Sequence, residues 1–372
     1  MQGINFFVTD HSPDRADTGN VHVLRNLYSG IKATGITSVR YDWRWKLIEP
    51  ARGLYDTKTL HRYGLACAVM DTLELEPPTI VLSSIPDWAL KLYKEDKNEF
   101  FVAYERYVRE VVKKLEWLYK SLQTRRKISR VQVLNELNNK VYTPILQEDV
   151  IELCRITGRA MSSYNPDIKL AGSLVVGNLA RFVGMDALDY LHTYRHVFTH
   201  FDVILLDCYP GVWHLPFSEA KKGKKSIFAS LDLLKKVMEQ VAAIGKAYEI
   251  GEVGLPTNIP FRGRVWNETR QRYFFAVFFR AFKHILLDLG RRGIALPAHV
   301  GIYEALDEPP RGMVANLRYA LTLGLFPEHD FGIFTADNFP KEIVMGNRHI
   351  LAGPQQLKNL IRYVNTPMRR MV

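Results

Sequence analysis

Eight short apolar runs, each followed by a segment with helical spacing, constrain this 372-residue chain more than any other feature. The runs are "GINFFV", "ITSVRYDW", "PTIVLSS", "ISRVQVLNE", "IKLAGSLVV", "FDVILLDCY", "KAYEIGEVG" and "HVGIYEALD". Between them the apolar residues recur at helical spacing, as in 99–122, where Phe101, Tyr104, Val108, Val111, Leu115 and Leu118 fall on one face. Further helices are expected over 186–200, 227–241 and 269–288, and "QQLKNLIRYV" reads as a closing amphipathic helix. Short apolar strands alternating with helices are the signature of βα units on a parallel sheet. About eight such units, with no glycine-rich fingerprint after the first strand, favour a closed (β/α)8 TIM barrel over an open doubly wound sheet. The expectation is one domain over 1–372, with an unusually long loop after strand eight, 307–353.

A barrel of this kind carries its chemistry on polar residues at the C-terminal ends of its strands. Strand four ends abruptly as "VQVLNELNN", placing Asn135 and Glu136 where an apolar run gives out. Reading the other strands to their ends adds Arg40 and Asp42, Ser83, Asp87 and Trp88, Asp207 and Tyr209, Glu249 and Glu252, and Asp307 and Glu308. Carboxylates, amides, an arginine and aromatics converge on one rim. Metal-ligating histidines do not.

Two carboxylates across a barrel mouth suit cleavage of a glycosidic bond, one protonating the leaving oxygen and the other attacking the anomeric carbon or activating water. Strands four and seven face each other in an eight-stranded barrel, which nominates Glu136 and Glu252. Strict alternation sets Tyr248, Ile250 and Glu252 on one face of strand seven and Glu249 on the other. Alternation does not say which face is inward, so Glu252 is preferred over Glu249 because it lies nearer the strand end. Arg40 would hold a neighbouring carboxylate ionised, and Asn135 would bind a sugar hydroxyl. Trp43, Trp88 and Trp213 offer flat apolar faces for sugar rings, as does Trp45, and Asp307 and Glu308 would bind outer hydroxyls or shape the turn at Pro309–Pro310.

The "NE" closing strand four, the "EVGLPT" closing strand seven and "VRYDWRWKLIEPARGLYD" around strand two together resemble glycoside hydrolase clan A, the retaining β-glycosidases on TIM barrels. The resemblance spans nearly the whole chain, down to "DFGIFTADNFPKE" near Phe331. It implies Glu136 as acid/base, Glu252 as nucleophile, Arg40 beside the nucleophile and Tyr209 as its hydrogen-bond donor. It implies a double displacement on an oligosaccharide, polysaccharide or glycoside, with no cofactor and no metal. Glu136 would then need a raised pKa and Glu252 an ionised state. Two positions depart from the clan: Leu255 stands where a tryptophan often follows the nucleophile, and strand eight lacks its common tryptophan, for which Tyr303 or a loop tryptophan is the candidate substitute.

Two other classes compete. One is a carbohydrate-binding barrel that keeps the cleft without turnover, and the other a metal-dependent hydrolase built on His192, His196 and His200, spaced four residues apart. The formal charge of +11 and pI near 9.4 permit an anionic partner. Yet the basic runs "RRK" (125–127), "KKGKK" (221–225) and "MRRM" match no nucleic-acid motif and read as solvated surface. Cys67, Cys154 and Cys208 lie far apart in no metal-binding spacing. With no basic leader and no uncharged apolar span, the chain reads as cytoplasmic and not membrane-bound.

Overall fold

The computed structural model describes residues 3–15, 20–121, 123–177, 184–210, 224–255, 268–305, 333 and 356–366. Eight parallel strands close into a barrel in strict chain order: β1 (Asn5–Thr9), β2 (Ser38–Arg44), β3 (Thr79–Ser83), β4 (Arg130–Val133), β5 (Lys169–Val175), β6 (Val203–Asp207), β7 (Ala247–Glu252) and β8 (His299–Tyr303). β8 pairs with β1 from Asn5↔His299 to Thr9↔Tyr303, which removes both sheet edges. All eight expected strands form in the expected order. The (β/α)8 architecture is therefore the fold of this chain.

Alternation along each strand divides the core in two. Outward residues such as Ile80, Leu82, Val131, Val133, Ile204 and Leu206 pack beneath the helices as one continuous apolar layer. Inward residues Ala171, Val203 and Leu205 form a separate small cluster inside the barrel. Phe7 helps to fill that interior because β8 offers Gly301 beside it: a Cβ there would come within 2.5 Å of the Phe7 ring and 2.1 Å of the Gly251 carbonyl. A side chain at 301 has no room.

The helix expected over 99–122 runs from Lys97 to Ser121, and its buried residues recur at helical spacing. Those expected over 227–241 and 269–288 occupy Lys224–Ala243 and Glu268–Arg291. One expectation fails. The segment 186–200 is not one helix: Ala187–Thr193 ends at Tyr194, and a 3-10 turn follows over Val197–His200. Thr193, Tyr194 and His196 are weak helix formers, and Tyr190 packs on Phe198 across the break. His192, His196 and His200 therefore do not share a helix face, and the metal site built on them falls away.

The chain ends are tied together. The Asn365 side chain pairs with the Ile4 backbone at 2.7 and 2.9 Å, and Lys283 donates to the carbonyls of Tyr363 and Thr366 at 2.5 and 2.6 Å. The "RRK" run is held by its own neighbours: Arg125 to Glu74 at 2.9 Å, Arg126 to the Leu75 carbonyl at 2.8 Å, Lys127 to the Tyr164 carbonyl at 2.6 Å. The other two basic runs lie outside the fully described residues. Among the described residues no helix is long and apolar enough to cross a membrane.

Candidate active site

Arg40 organises the mouth of the barrel. It points inward from β2 and is 1% exposed. Its Nε donates to Gln132 Oε1 (2.8 Å), its Nη2 to Asn135 Oδ1 (2.8 Å), and its Nη1 to Thr9 Oγ1 (3.3 Å) and to Glu252 Oε1. Groups on or just after three other strands, β1, β4 and β7, thus hold one guanidinium. Burial alone would pull the Arg40 pKa down, but the charges of Glu252, Asp207 and Asp42 outweigh it and push it up. The group stays cationic, and it is aimed at Glu252.

Glu252 is reached by a break in the strand's alternation. Glu249 contacts Arg130 of β4 and His299 of β8, so it points into the barrel at the lower end. Two residues on, Gly251 also faces inward, since a Cβ there would lie 2.2 Å from Asp207 Oδ1 and 2.9 Å from Leu205 Cβ. The pairing with β6 then slips, from Leu206↔Ile250 to Asp207↔Glu252. This bulge turns Glu252 to the inner face as well, and the expectation that Glu249 and Glu252 take opposite faces is corrected. Tyr209 donates its hydroxyl to the second oxygen of Glu252. Burial, and then the Glu252 charge, push the Tyr209 pKa well above that of an ordinary phenol, so the proton stays on the hydroxyl.

Glu136 is delivered by a kink after β4. Leu134 and Glu136 take positive φ values of 61° and 47°, which non-glycine residues seldom adopt outside functional or strained segments. The Glu136 amide donates to Ser173 Oγ (2.7 Å), and Asn139 Nδ2 donates to Glu136 Oε2 (2.7 Å). Asn135 Oδ1 takes donors from Arg40, Gln132 (3.1 Å) and Ser173 (3.1 Å). Glu136, Asp207 and Glu252 come together: one carboxylate oxygen from each lies within 4.8 Å of one from each of the others. Asp207 closes β6 fully buried. Burial, then the Glu252 charge, raise its pKa well above the usual carboxylate range, against the pull of Arg40.

A second polar group rims the mouth at β1 and β2. Arg44 Nε contacts Asp14 at 2.9 Å and Asp42 at 3.5 Å, and its Nη2 lies 3.2 Å from His11 Nδ1. Burial works against Asp42, but His11, Arg44 and Arg40 together hold its carboxyl below the usual range. Tyr303, ending β8, packs edge-to-face with Tyr209 and with His11 at 5.6 and 5.8 Å between centroids.

The structure thus brings Arg40, Asn135, Glu136, Tyr209 and Glu252 together. It does not bring Trp43. Because Arg40, Asp42 and Arg44 point inward, Trp43 points outward, fully buried 5.5 Å from the Tyr63 ring and with no face toward the mouth. Trp88 is half-buried, donating to the Glu49 carbonyl at 3.0 Å and packing edge-on against Trp45. Trp213, Asp307 and Glu308 lie outside the described residues. Gln132, Ser173, Asn139 and His11 were missed, although Gln132 and Ser173 left a signal: each is a polar residue inside an apolar strand run.

No protein-family model matches this chain, nor does any curated protein sequence. Solved structures share its fold at low identity. An exo-β-1,4-mannosidase from an Opitutaceae bacterium is 15% identical, with a TM-score of 0.61 over 97% of this chain, which spans only 59% of that protein's length. A β-glycosidase is 14% identical over 99% of this chain and 98% of its own, with a TM-score of 0.63. A GH5_18 protein from Bifidobacterium longum subsp. infantis is 14% identical over 99% of this chain and 80% of its own, with a TM-score of 0.65.

Proposed function

We propose that the chain is a retaining β-glycosidase in which Glu252 is the nucleophile and Glu136 the acid/base. The observation that carries this reading is the convergence of Glu136 and Glu252 from opposite sides of the barrel, with carboxylate oxygens within 4.8 Å. That spacing suits the retaining class, whose carboxyl groups stand about 5–5.5 Å apart, and not the inverting one at about 6.5–9.5 Å. The two groups are also held differently. Glu252 accepts from a cation and a phenol, which favours the ionised form, whereas Glu136 accepts from the neutral Asn139 amide. The fold's likeness to proteins named as a β-glycosidase and an exo-β-1,4-mannosidase supports the same reading.

In this mechanism Glu252 attacks the anomeric carbon while Glu136 passes its proton to the departing oxygen. The glycosyl ester on Glu252 is then hydrolysed by a water that gives its proton back to Glu136. Arg40 and Tyr209 keep the Glu252 oxygens aligned, and Asn135, its Oδ1 already taken, presents its amide N–H groups to a sugar hydroxyl. Tyr303 fills the role of an aromatic floor.

A panel of aryl β-glycosides tests the proposal, with wild type, Glu136→Ala and Glu252→Ala. Both substitutions abolish or cripple turnover, the loss of general acid costing about 10²–10⁴-fold. Added azide yields the β-glycosyl azide with Glu136→Ala and the α-glycosyl azide with Glu252→Ala. Oligosaccharide binding with no cleavage of any panel member would replace this reading with the carbohydrate-binding one.

A further inference from the structure

The reaction proposed above leaves one carboxylate of the mouth without a task. Asp207 is fully buried, and neither of its oxygens has a hydrogen-bond partner by geometry among the described residues. Besides the neutral Cys208 thiol and Tyr209 phenol that follow it in the chain, its neighbours come from four elements. Arg40 comes from β2, but four of its five N–H groups go to Gln132, Asn135, Thr9 and Glu252, and Asp207 accepts none of its N–H groups. Ser173 comes from β5 and favours the ionised form slightly, yet its hydroxyl donates to Asn135 Oδ1. Glu136 follows β4 and Glu252 ends β7, and a negative charge on either opposes one on Asp207. The backbone has made room for the carboxyl: only a glycine at 251 leaves space for Asp207 Oδ1.

With Glu136 protonated as the acid of that reaction, Asp207 and Glu252 are still two buried carboxylates beside one arginine, which donates to Glu252 and not to Asp207. A cation could relieve the repulsion, and hard cations accept carboxylate oxygens at about 2.3–2.6 Å. But both oxygens of Glu252 already accept, one from Arg40, whose charge would oppose a metal ion there. A proton relieves it without that conflict.

We propose that Asp207 is a positioning residue that carries a proton in the resting site and thereby leaves Arg40 to Glu252 alone. An ionised Asp207 would draw the guanidinium between two carboxylates and loosen the nucleophile's alignment. The role in catalysis rests on the glycosidase reading; the protonation does not. Its direction agrees with the upward push of burial and of the Glu252 charge.

The test compares urea unfolding of wild type and Asp207→Asn from pH 4 to pH 9, the amide being a permanent mimic of the protonated acid. A carboxyl whose folded pKa lies above its unfolded value stabilises the fold below the unfolded pKa, and loses that advantage as pH rises to the folded pKa. The wild-type folding constant should therefore fall relative to that of Asp207→Asn by about tenfold per pH unit above pH 4, until Asp207 ionises in the fold. Asp207→Ser gives the same trend if the amide is not accommodated. A ratio flat with pH overturns the proposal whether or not the protein cleaves glycosides. Where a glycoside is cleaved, the alkaline fall of kcat/KM is second order in hydroxide for wild type, and first order for Asp207→Asn. An identical alkaline limb in both proteins would remove the positioning role.

Discussion

Glu249 and Glu252 both face the barrel interior, and Glu249→Gln distinguishes their tasks. Glu249 accepts from Arg130 Nη1 at 2.5 Å and contacts His299 Nδ1 at 2.7 Å, and Arg130 also donates to Thr79 at 2.7 Å. Burial opposes the charge on Glu249, but His299 and Arg130 outweigh it and hold its carboxyl below the usual range. Removing one partner of a buried ion pair costs about 3–5 kcal/mol, because the other charge stays buried. Here the Arg130 side chain keeps 14% exposure and its bond to Thr79, and glutamine keeps an acceptor oxygen. The loss should therefore fall at about 2–3 kcal/mol at pH 7, a sizeable part of the 5–15 kcal/mol that holds a typical domain. The pH dependence has a fixed sign. A carboxyl with a depressed folded pKa stabilises the fold above its unfolded pKa, and that stability is lost as pH falls through the folded value. The gap between wild type and Glu249→Gln should thus be full near pH 7 and close below about pH 4. Urea unfolding at both pH values measures it, and kcat per folded molecule is measured alongside. The reasoning is refuted if the variant is as stable as wild type yet has lost hydrolysis, because Glu249 would then be a catalytic carboxylate.

Three further outcomes follow from the geometry. Tyr209→Phe removes a donor to the Glu252 carboxylate, a charge-assisted bond of about 1.5–3 kcal/mol, and should lower kcat/KM by about 10–100-fold; a change under twofold would detach Tyr209 from the nucleophile. Gly251→Ala forces a methyl against Asp207 and Leu205 and should cost about 1–3 kcal/mol in denaturant unfolding, with loss of activity as the bulge below Glu252 shifts. Trp43→Phe should lower the melting temperature through poorer packing on Tyr63 while leaving KM unchanged; a raised KM would return Trp43 to the sugar site.

The barrel was legible because its strands are apolar runs of the length that a buried parallel sheet requires, and each one formed. Strand ends marked Arg40, Asn135, Glu136, Tyr209 and Glu252 because polar residues at that position have few structural reasons to be there. What escaped detection lies where local rules yield to three-dimensional ones. Alternation set Glu249 and Glu252 on opposite faces because it does not see the bulge at Gly251 between them, and a glycine within a strand run is itself the sign of one. Trp43 could have been set aside from the sequence, since an inward Arg40 and Asp42 require an outward Trp43. The break after Thr193 depends on Tyr190 and Phe198 packing across it, which helical spacing does not encode. Asp207 was visible as a strand-end acid, but that Arg40 donates to Glu252 and not to Asp207 depends on contacts between distant strands, and no local stretch records that.

The most direct test of the central claim is mass spectrometry of the protein incubated with an activated 2-deoxy-2-fluoro derivative of the β-glycoside it cleaves. The account expects one added sugar, carried on Glu252, with the adduct lost in Glu252→Gln and retained in Glu249→Gln. Turnover with an inverted product and no adduct, or a label on Glu136, would contradict it.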